Sequence, residues 1–297
     1  MAVPQTGIFA LGNVAHTYLE FELRDPGQGA ALVTAVADLS EPRTTMGGVN
    51  LVAGFRPGLW GAAAPGRSPR DLHDFTDPVV GIEDFTMPAT QRDVVLWIAG
   101  GANDVVFDAA IEMIAALSAL AVLVEEIVGW SYHKDLDLTG FVDGTENSSL
   151  LVAPQEVLVP EGSPGAGGSV LLLQKWVHHA AAWSALSQEQ QEEVMGRTKA
   201  DSVELSGRPE SSHVARTDQE DFGQIFRRNT PYGWASEHGT VFVGFSAEQG
   251  RLARMLDSMA GLTGVRDDLT RYATPLTGAY YFVPSAEDTL AFATAVD

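Results

Sequence analysis

The segment Tyr18–Leu23, YLEFEL, alternates apolar and polar residues along its whole length. Alternation with a period of two is typical of a strand, so this segment predicts a half-buried strand near the start of the chain. Asn103 and Asp104 are predicted to cap a later helix. The elements predicted after the first strand are a helix over 28–39, strands over 50–55 and 93–99, a helix from 103 to about 120, and a strand over 122–132. The order β-α-β-β-α-β is that of a ferredoxin-like unit.

The second half of the chain repeats this order. Ser187 is followed three residues later by Gln190, and Ser246 by Gln249, so both serines predict capping boxes that open helices. The predicted strands of this half are 169–177, 224–227, 240–245 and 278–283. We therefore predict an α+β protein of two ferredoxin-like domains with antiparallel sheets, residues 1–138 and 139–297, which are joined within 134–168.

The composition excludes several classes of protein. The 297 residues include 39 acids and 18 bases, for a formal net charge of −21, so there are few bases from which to build a face for nucleic acid or an anionic membrane. The chain has no cysteine, which excludes thiolate nucleophiles, iron–sulfur clusters and covalently attached or thiolate-ligated haem. Histidine, aspartate, glutamate and arginine are left to carry any chemistry.

No segment predicts export or membrane insertion. The first residues, MAVPQTGIFALGNVAH, have no basic region and no long apolar run. The most apolar segment, Ala109–Val124, contains Glu112 and runs into two further glutamates, so it is too short and too acidic to span a bilayer. These features predict a soluble, cytoplasmic protein.

Two loops stand out as candidate sites. In the first, GFVDGTEN at 140–147, the acid Asp143 stands between glycines, which on its own is typical of a turn. The second is the connection Gly196–Gly223, which contains His213; connections of this length are usually functional or disordered. A third pattern, His133-x-Asp135-x-Asp137, would place three metal ligands on one face of a strand, although a solvated strand end is the favoured interpretation.

Four segments together resemble the dye-decolourising peroxidases, specifically their B-type bacterial subgroup. The segments are GFVDGTEN at 140–147, GRTK at 196–199, SHVART at 212–217 and RRNTPYG at 227–233. Their order agrees with the family, and the resemblance covers nearly the whole chain. It implies two ferredoxin-like domains with one haem b held mainly by the C-terminal one. It also implies a peroxidase that reduces hydrogen peroxide and oxidises dyes, phenolics or other one-electron donors.

The resemblance also implies roles for residues on the distal side of the haem. Asp143 matches the distal carboxylate that moves the peroxide proton, and Arg227 matches the distal arginine that stabilises developing negative charge. Arg228 is a rival because it is adjacent, but the family pattern places the arginine two residues before Asn229, which completes the distal hydrogen bonds. Whether Asp143 or Arg227 dominates peroxide activation stays open.

On the proximal side, His213 matches the ligand of the haem iron. Asp267 best matches the acid that hydrogen-bonds to this histidine, and Glu204 is a second candidate. Arg197 matches an arginine that pairs with a haem propionate.

Two glycines of the first loop are assigned to cofactor binding as well. Gly140 and Gly144 are expected to let the loop backbone approach the flat face of the haem, where a Cβ would obstruct it.

Two other functions on the same fold remain as alternatives: a non-catalytic haem carrier or sensor, and a haem-iron-releasing protein. The Asp143–Arg227 pair argues against a carrier, which needs neither group. B-type relatives are often oligomers, so the resemblance implies a homo-oligomer. Some relatives are loaded into a protein shell by a C-terminal tag, but the ending AEDTLAFATAVD has no clear tag of this kind.

Overall fold

The computed structural model describes residues 2–39, 48–133 and 135–294, and it is a mixed α+β structure whose named strands pair antiparallel. The strands are β1 (Ala15–Leu23), β2 (Val49–Phe55), β3 (Val79–Val80), β4 (Thr86–Met87), β5 (Val94–Gly100), β6 (Ala121–Trp130), β7 (Ser169–His178), β8 (Phe226–Arg227), β9 (Thr230–Gly233), β10 (His238–Ser246), β11 (Ala273–Pro275) and β12 (Ala279–Val283). The α-helices are α1 (Gly29–Leu39), α2 (Pro57–Ala63), α3 (Asn103–Leu117), α4 (Ala153–Val157), α5 (Ala180–Ser184), α6 (Gln188–Met195), α7 (His213–Arg216), α8 (Gln219–Phe222), α9 (Gln249–Met259) and α10 (Ala286–Leu290). Short 3₁₀ helices cover Thr6–Phe9, Pro26–Gln28 and Asp268–Arg271.

Eight strands close into a ring in the order β7-β12-β2-β5-β1-β6-β9-β10, with β11 beside β7 and β8 beside β10. The first half of the chain contributes β2-β5-β1-β6, and the second half contributes β12-β7-β10-β9. The halves meet where Phe282 pairs with Phe55 and where Gly129 pairs with Tyr232. A Cβ on Gly129 would lie 2.8 Å from the carbonyl oxygen of Pro231, so glycine permits this close approach of β6 and β9.

Three apolar layers follow from this ring. The outer face of the first half packs against α1 and α3 through residues such as Leu19, Leu32 and Val106. The ring interior is filled by side chains from both halves, among them Trp97 and Phe245. The outer face of the second half packs against α9.

The prediction that the first strand is half-buried is wrong, because seven residues of β1, 15–21, are buried. Leu19 and Phe21 pack on the helices, whereas Tyr18 belongs to the core inside the ring. Glu20 is only 3% exposed and accepts a hydrogen bond from the hydroxyl of Tyr281, which also belongs to that inner core. Of the two polar positions in YLEFEL, Glu22 is therefore exposed as predicted, whereas Glu20 faces the interior of the ring.

The predictions for helix ends have mixed outcomes. The capping box at Ser187 is confirmed: its Oγ accepts from the backbone of Gln190, whose side chain accepts from the backbone of Ser187. The predicted cap of α3 is wrong, because Asn103 already lies inside the helix and no side chain caps it.

The second capping box is also wrong, since Ser246 is the last residue of β10 and Glu248 holds the N-cap position. In addition, β8 is shorter than the predicted strand over 224–227, and β9 and β11 were not predicted.

Within the ranges that the structure describes, no helix has the length and apolar character needed to cross a membrane. The same ranges contain no group of three or more histidine, aspartate or glutamate side chains arranged to hold a metal ion. His133, Asp135 and Asp137 do not share a strand face, because β6 ends at Trp130 and His133 has a φ of 42°, in the left-handed region.

Candidate active site

A cavity of about 290 Å³ lies in the second half of the chain, walled by residues between Asp137 and Ala273. Its apolar lining includes Phe141, Met195, Val214, Met255 and Met259. Of the predicted site residues, those that line it are Asp143, Gly144, Arg197, His213, Arg227 and Asn229. The fold therefore gathers residues that are up to 86 positions apart into one apolar-walled space.

His213 is the first residue of α7, with Ser212 at the N-cap position. Its Nδ1 lies 2.7 Å from Oδ2 of Asp267, whose side chain is fully buried. The other oxygen of Asp267 accepts a hydrogen bond from the backbone of Leu269 at 2.8 Å, which fixes the carboxylate. Because Nδ1 is engaged, Nε2 is the imidazole nitrogen that is left for a ligand in the cavity.

The second candidate, Glu204, and the acid adjacent to Asp267, Asp268, are engaged elsewhere. Asp268 accepts hydrogen bonds from the hydroxyl of Ser211 at 2.6 Å and from Nε of Arg271 at 3.0 Å. Glu204 is paired with Arg197 and Arg208. Asp267 is therefore the acid that the structure places on His213, and Glu204, the second candidate for that position, is not in contact with the imidazole.

Arg197 lines the cavity as part of a charged cluster. It donates to Glu146 at 2.8 Å, to Glu204 at 2.9 Å and to the carbonyl of Ser202 at 3.0 Å. Its Nε and Oε2 of Glu146 are buried without a hydrogen-bond partner.

Asp143 is held by its own loop and by the strand region that follows β8. Its backbone nitrogen donates to the carbonyl of Asp135 at 2.8 Å, and its Oδ1 accepts from the backbone of Gly144 at 2.8 Å. The same oxygen accepts from Nδ2 of Asn229 at 3.1 Å. Oδ1 of Asn229 in turn accepts from the backbone of Val243 at 3.1 Å, so the amide is oriented with its NH₂ group toward Asp143. Oδ2 of Asp143 carries no hydrogen bond from any residue that the structure describes.

The adjacent arginines face different surroundings, as alternation along an extended segment requires. Arg227 lines the cavity, and its Nε is buried without a partner. Arg228 donates to the carbonyls of Ile8 at 2.8 Å and Ala10 at 2.7 Å, and its guanidinium lies 5.0 Å from the centre of the Trp97 ring. The structure thus places Arg227 in the cavity, and it gives Arg228 a structural role inside the strand ring.

Asn147 is a site residue that the sequence did not assign. Its Oδ1 accepts from the backbone nitrogen of Arg227 at 2.8 Å, and its Nδ2 donates to the carbonyl of Arg227 at 2.8 Å. The last residue of GFVDGTEN therefore holds the backbone of the arginine segment. The position of Asn147 inside the GFVDGTEN motif was a signal that it belongs to the site. Its hydrogen bond to Arg227 could not be predicted, because a contact between residues 80 positions apart leaves no local sequence pattern.

The cofactor-binding role of the two glycines stays a prediction, and the structure shows what each glycine does within the loop. Gly140 and Gly144 have φ values of 87° and 69°, which favour glycine in any surroundings. A Cβ on Gly140 would lie 2.7 Å from Cε of Lys199, and one on Gly144 would lie 2.9 Å from Nδ2 of Asn147. These glycines are required by the loop's own conformation and packing, and Gly140 does not line the cavity.

The unpaired polar atoms fit a haem. Buried polar atoms in proteins nearly always have hydrogen-bond partners. Nevertheless, two arginines of the cavity wall, Arg227 and Arg197, each hold a buried Nε that has no partner among the described residues. Guanidinium groups suit carboxylates such as haem propionates, and an imidazole nitrogen in an apolar-walled cavity suits haem iron. The residues present therefore match the donor set that this cofactor needs.

Comparison with known proteins identifies the family of this chain. Family models described as Dyp-type peroxidase, N-terminal and C-terminal, match residues 18–131 and 134–288. A Dye-decolorizing peroxidase of Rhodococcus erythropolis is 33% identical, and the match covers 96% of this chain and 88% of the relative. A dye-decolorizing protein from V. cholerae has a TM-score of 0.88 at 32% identity, over 97% of this chain and 99% of that one. A putative dyp-type peroxidase from Shewanella oneidensis has a TM-score of 0.90 at 28% identity, over 98% and 99%.

These matches place the molecule among the peroxidases. The chain belongs to the Dyp-type, or dye-decolorizing, peroxidase family.

Proposed function

We propose that this chain is a haem b peroxidase that reduces hydrogen peroxide while oxidising dyes, phenolics or other one-electron donors. Its family establishes the class of enzyme. The cofactor follows from relatives, since a variant of the Rhodococcus jostii RHA1 protein, 29% identical over 98% of this chain, was solved in complex with heme. The observation that carries the residue assignment is the convergence of Asp143, Arg227 and Asn229 with the His213–Asp267 pair on one cavity.

The His213–Asp267 pair is proposed as the proximal side. Nε2 of His213 would hold the haem iron, and the bound haem would supply the two-electron redox chemistry that peroxide reduction needs. The carboxylate of Asp267, 2.7 Å from Nδ1, holds the ring orientation and increases the electron donation of the imidazole. Arg197, whose Nε has no partner, is proposed to bind a haem propionate.

The distal side is proposed to be Asp143, Arg227 and Asn229. Oδ2 of Asp143 is free to take the proton from one peroxide oxygen and return it to the other. The guanidinium of Arg227 stabilises the negative charge that grows on the departing oxygen. Asn229 holds Oδ1 of Asp143, which leaves Oδ2 for peroxide.

The architecture supports a finer proposal about domains. When the four ring strands of each half are numbered in chain order, β2-β5-β1-β6 has the order 2-3-1-4 and β12-β7-β10-β9 has the order 4-1-3-2. These two orders are the same arrangement read from opposite ends. We infer two ferredoxin-like domains, residues 1–138 and 139–297, with the haem held mainly by the second. The cavity lining supports this, although Asp137 and Leu138 just before the boundary also contribute to it.

A haem carrier or sensor and a haem-iron-releasing protein remain the alternatives, but no observation favours either. A homo-oligomeric state and a cytoplasmic location stay predictions, whereas loading into a shell is not predicted.

The test is peroxide-dependent bleaching of a dye by the haem-loaded protein, followed together with its absorption spectrum. We expect bleaching by the wild type, and His213→Ala to lose the histidine-ligated spectrum. His179→Ala is the matched control, because this histidine does not line the cavity and should change neither result. Stable haem binding without peroxide-dependent bleaching would favour the carrier.

A further inference from the structure

A second carboxyl group shares the distal region with Asp143. Asp137 lines the haem cavity and also a second cavity of about 450 Å³. Asp143, Arg227 and Asn229 line both cavities too, so the two spaces share the distal wall. The second cavity is bordered by Leu11, which is 56% exposed, and therefore reaches the molecular surface.

The two carboxylate oxygens of Asp137 have different surroundings. Oδ1 accepts hydrogen bonds from the backbone and hydroxyl of Thr139 and from the backbone of Phe141, at 2.8 Å and 3.3 Å for the two backbone donors. Oδ2 has no hydrogen bond to any described residue. One oxygen therefore organises the loop, while the other is not used by the described part of the loop in a residue that lines both cavities.

Peroxidase turnover needs protons at this place. Reduction of one hydrogen peroxide to two waters consumes two electrons and two protons. Phenolic donors too large to enter the cavity release their protons outside the protein when they are oxidised. Two protons per cycle must therefore come in from solvent, and the distal wall needs a group that can carry them.

We propose that Asp137 is the proton-relay residue of the distal pocket, an inference that rests on the proposed peroxidase function. An O–H bond forms at Oδ2 when a hydronium ion that has entered the second cavity from solvent gives up a proton and becomes water. This bond then breaks as the proton passes, through water in the shared space, to Asp143 and on to the oxygen that is reduced to water. Asp137 is left as a carboxylate, ready for the next proton.

The electrostatic surroundings suit this role. Burial raises the pKa of Asp137 to about 6; the hydrogen bonds from Thr139 oppose this shift, and the charge of Asp143 adds to it. The group is therefore protonated below about pH 6 and loses its proton as the pH rises through that value. Its charged or titratable neighbours come from several elements. Asp135 and Asp143 lie on the same loop, and Lys199 lies against Gly140. Arg227 ends β8 and Arg228 follows it, while His16 lies on β1 and His178 on β7.

Asp137→Asn in the haem-loaded enzyme tests the proposal, because the amide oxygen still accepts the loop hydrogen bonds while the titrating group is lost. Two rates are measured from pH 4.5 to 7.5: peroxide consumption after rapid mixing, and the subsequent reduction by a phenolic donor. The first moves a proton within peroxide and the second needs imported protons. In the wild type we expect the reduction rate to decline as the pH rises through about 6. In Asp137→Asn we expect this rate to be about tenfold or more lower at pH 5 and the decline near pH 6 to be absent, with a smaller effect on peroxide consumption.

Asp135→Asn is the matched control, since its side chain is exposed two residues away. Reduction rates and a pH profile for Asp137→Asn that coincide with the wild type would overturn the relay. An equal loss in Asp135→Asn would overturn it as well, because the effect would then be general to the loop. A wild type that binds no haem or consumes no peroxide would instead refute the proposed function.

Discussion

The side-chain amide of Asn147 is hydrogen-bonded to both main-chain groups of Arg227, with 2.8 Å to the nitrogen and 2.8 Å to the carbonyl oxygen. In the opposite direction, the amide of Asn229 donates to the carboxylate of Asp143. The loop of Asp143 thus holds the backbone of Arg227 through Asn147, and the segment of Arg227 holds the carboxylate of Asp143 through Asn229. These two amides set the relative position of Asp143 and Arg227, the two groups proposed for the distal side.

We expect Asn147→Ala to slow peroxide consumption by between about tenfold and a hundredfold, because the Arg227 backbone loses its anchor and small misplacements of catalytic groups are costly. Rapid mixing of the haem-loaded variant with peroxide measures this rate, and the resting absorption spectrum checks that haem is still bound. Asn50→Ala, at a site outside the cavity, is the control. A variant with normal haem content and a wild-type rate would show that Asn147 does not position Arg227.

Substitution of Arg227 should chiefly affect peroxide consumption, whereas substitution of Arg228 should chiefly affect folding stability. Arg227→Leu is expected to slow peroxide consumption by about a hundredfold or more with little change in unfolding, since its charge is proposed to act on the reacting oxygen. Arg228→Leu removes the hydrogen bonds to the partly buried carbonyls of Ile8 and Ala10, at about 1 kcal/mol each, and should chiefly lower the free energy of unfolding. Denaturant unfolding and peroxide kinetics on both variants check this, and a larger kinetic loss for Arg228→Leu would reverse the assignment.

Asp143→Asn decides whether the acid or the arginine dominates peroxide activation. The variant keeps the size of the side chain and an oxygen for the hydrogen bonds from Gly144 and Asn229, but it cannot accept a proton. If Asp143 is the base, the rate of peroxide consumption should fall by about a hundredfold or more. An unchanged rate in rapid-mixing experiments would assign the step to Arg227 and leave Asp143 a loop-forming residue.

Glu20 should make folding stability depend on pH. Burial raises its pKa to about 7 from 4.5, the hydrogen bond from Tyr281 opposes this shift, and the charge of Glu125 adds to it. Between these two pH values the folded state binds more protons than the unfolded state, so stability falls as the pH rises, by on the order of 3 kcal/mol in total. Glu20→Gln should remove this decline in denaturant unfolding measured from pH 4 to 8.

Glu22→Gln is the control for this prediction, because it changes an exposed carboxylate on the same strand. A Glu20→Gln variant whose stability profile runs parallel to that of the wild type over this interval would contradict the buried ionisation of Glu20, because other buried groups titrate in both proteins alike. The same conclusion would follow if Glu22→Gln removed the decline as completely as Glu20→Gln.

Several features of the protein were accessible from the sequence because they depend on neighbouring residues. The strands β1, β2, β5, β7 and β10 follow from apolar patterns over six to nine residues, and the capping box at Ser187 needs only residues three apart. The resemblance in GFVDGTEN, SHVART and RRNTPYG likewise sits in short segments, and it identified the family that the comparisons show.

Other features were decided only by the tertiary structure, because they depend on which distant segments meet. Ring closure buries both faces of β1, so Glu20 lies inside although its local pattern predicts a solvent face. The hydrogen bond that makes Asp267, and not Glu204, the partner of His213 joins residues 54 positions apart. The hydrogen bond from Asn147 to the backbone of Arg227 joins residues 80 positions apart. Local sequence fixes the conformation of each segment, whereas a hydrogen bond between segments exists only once packing has brought both ends together.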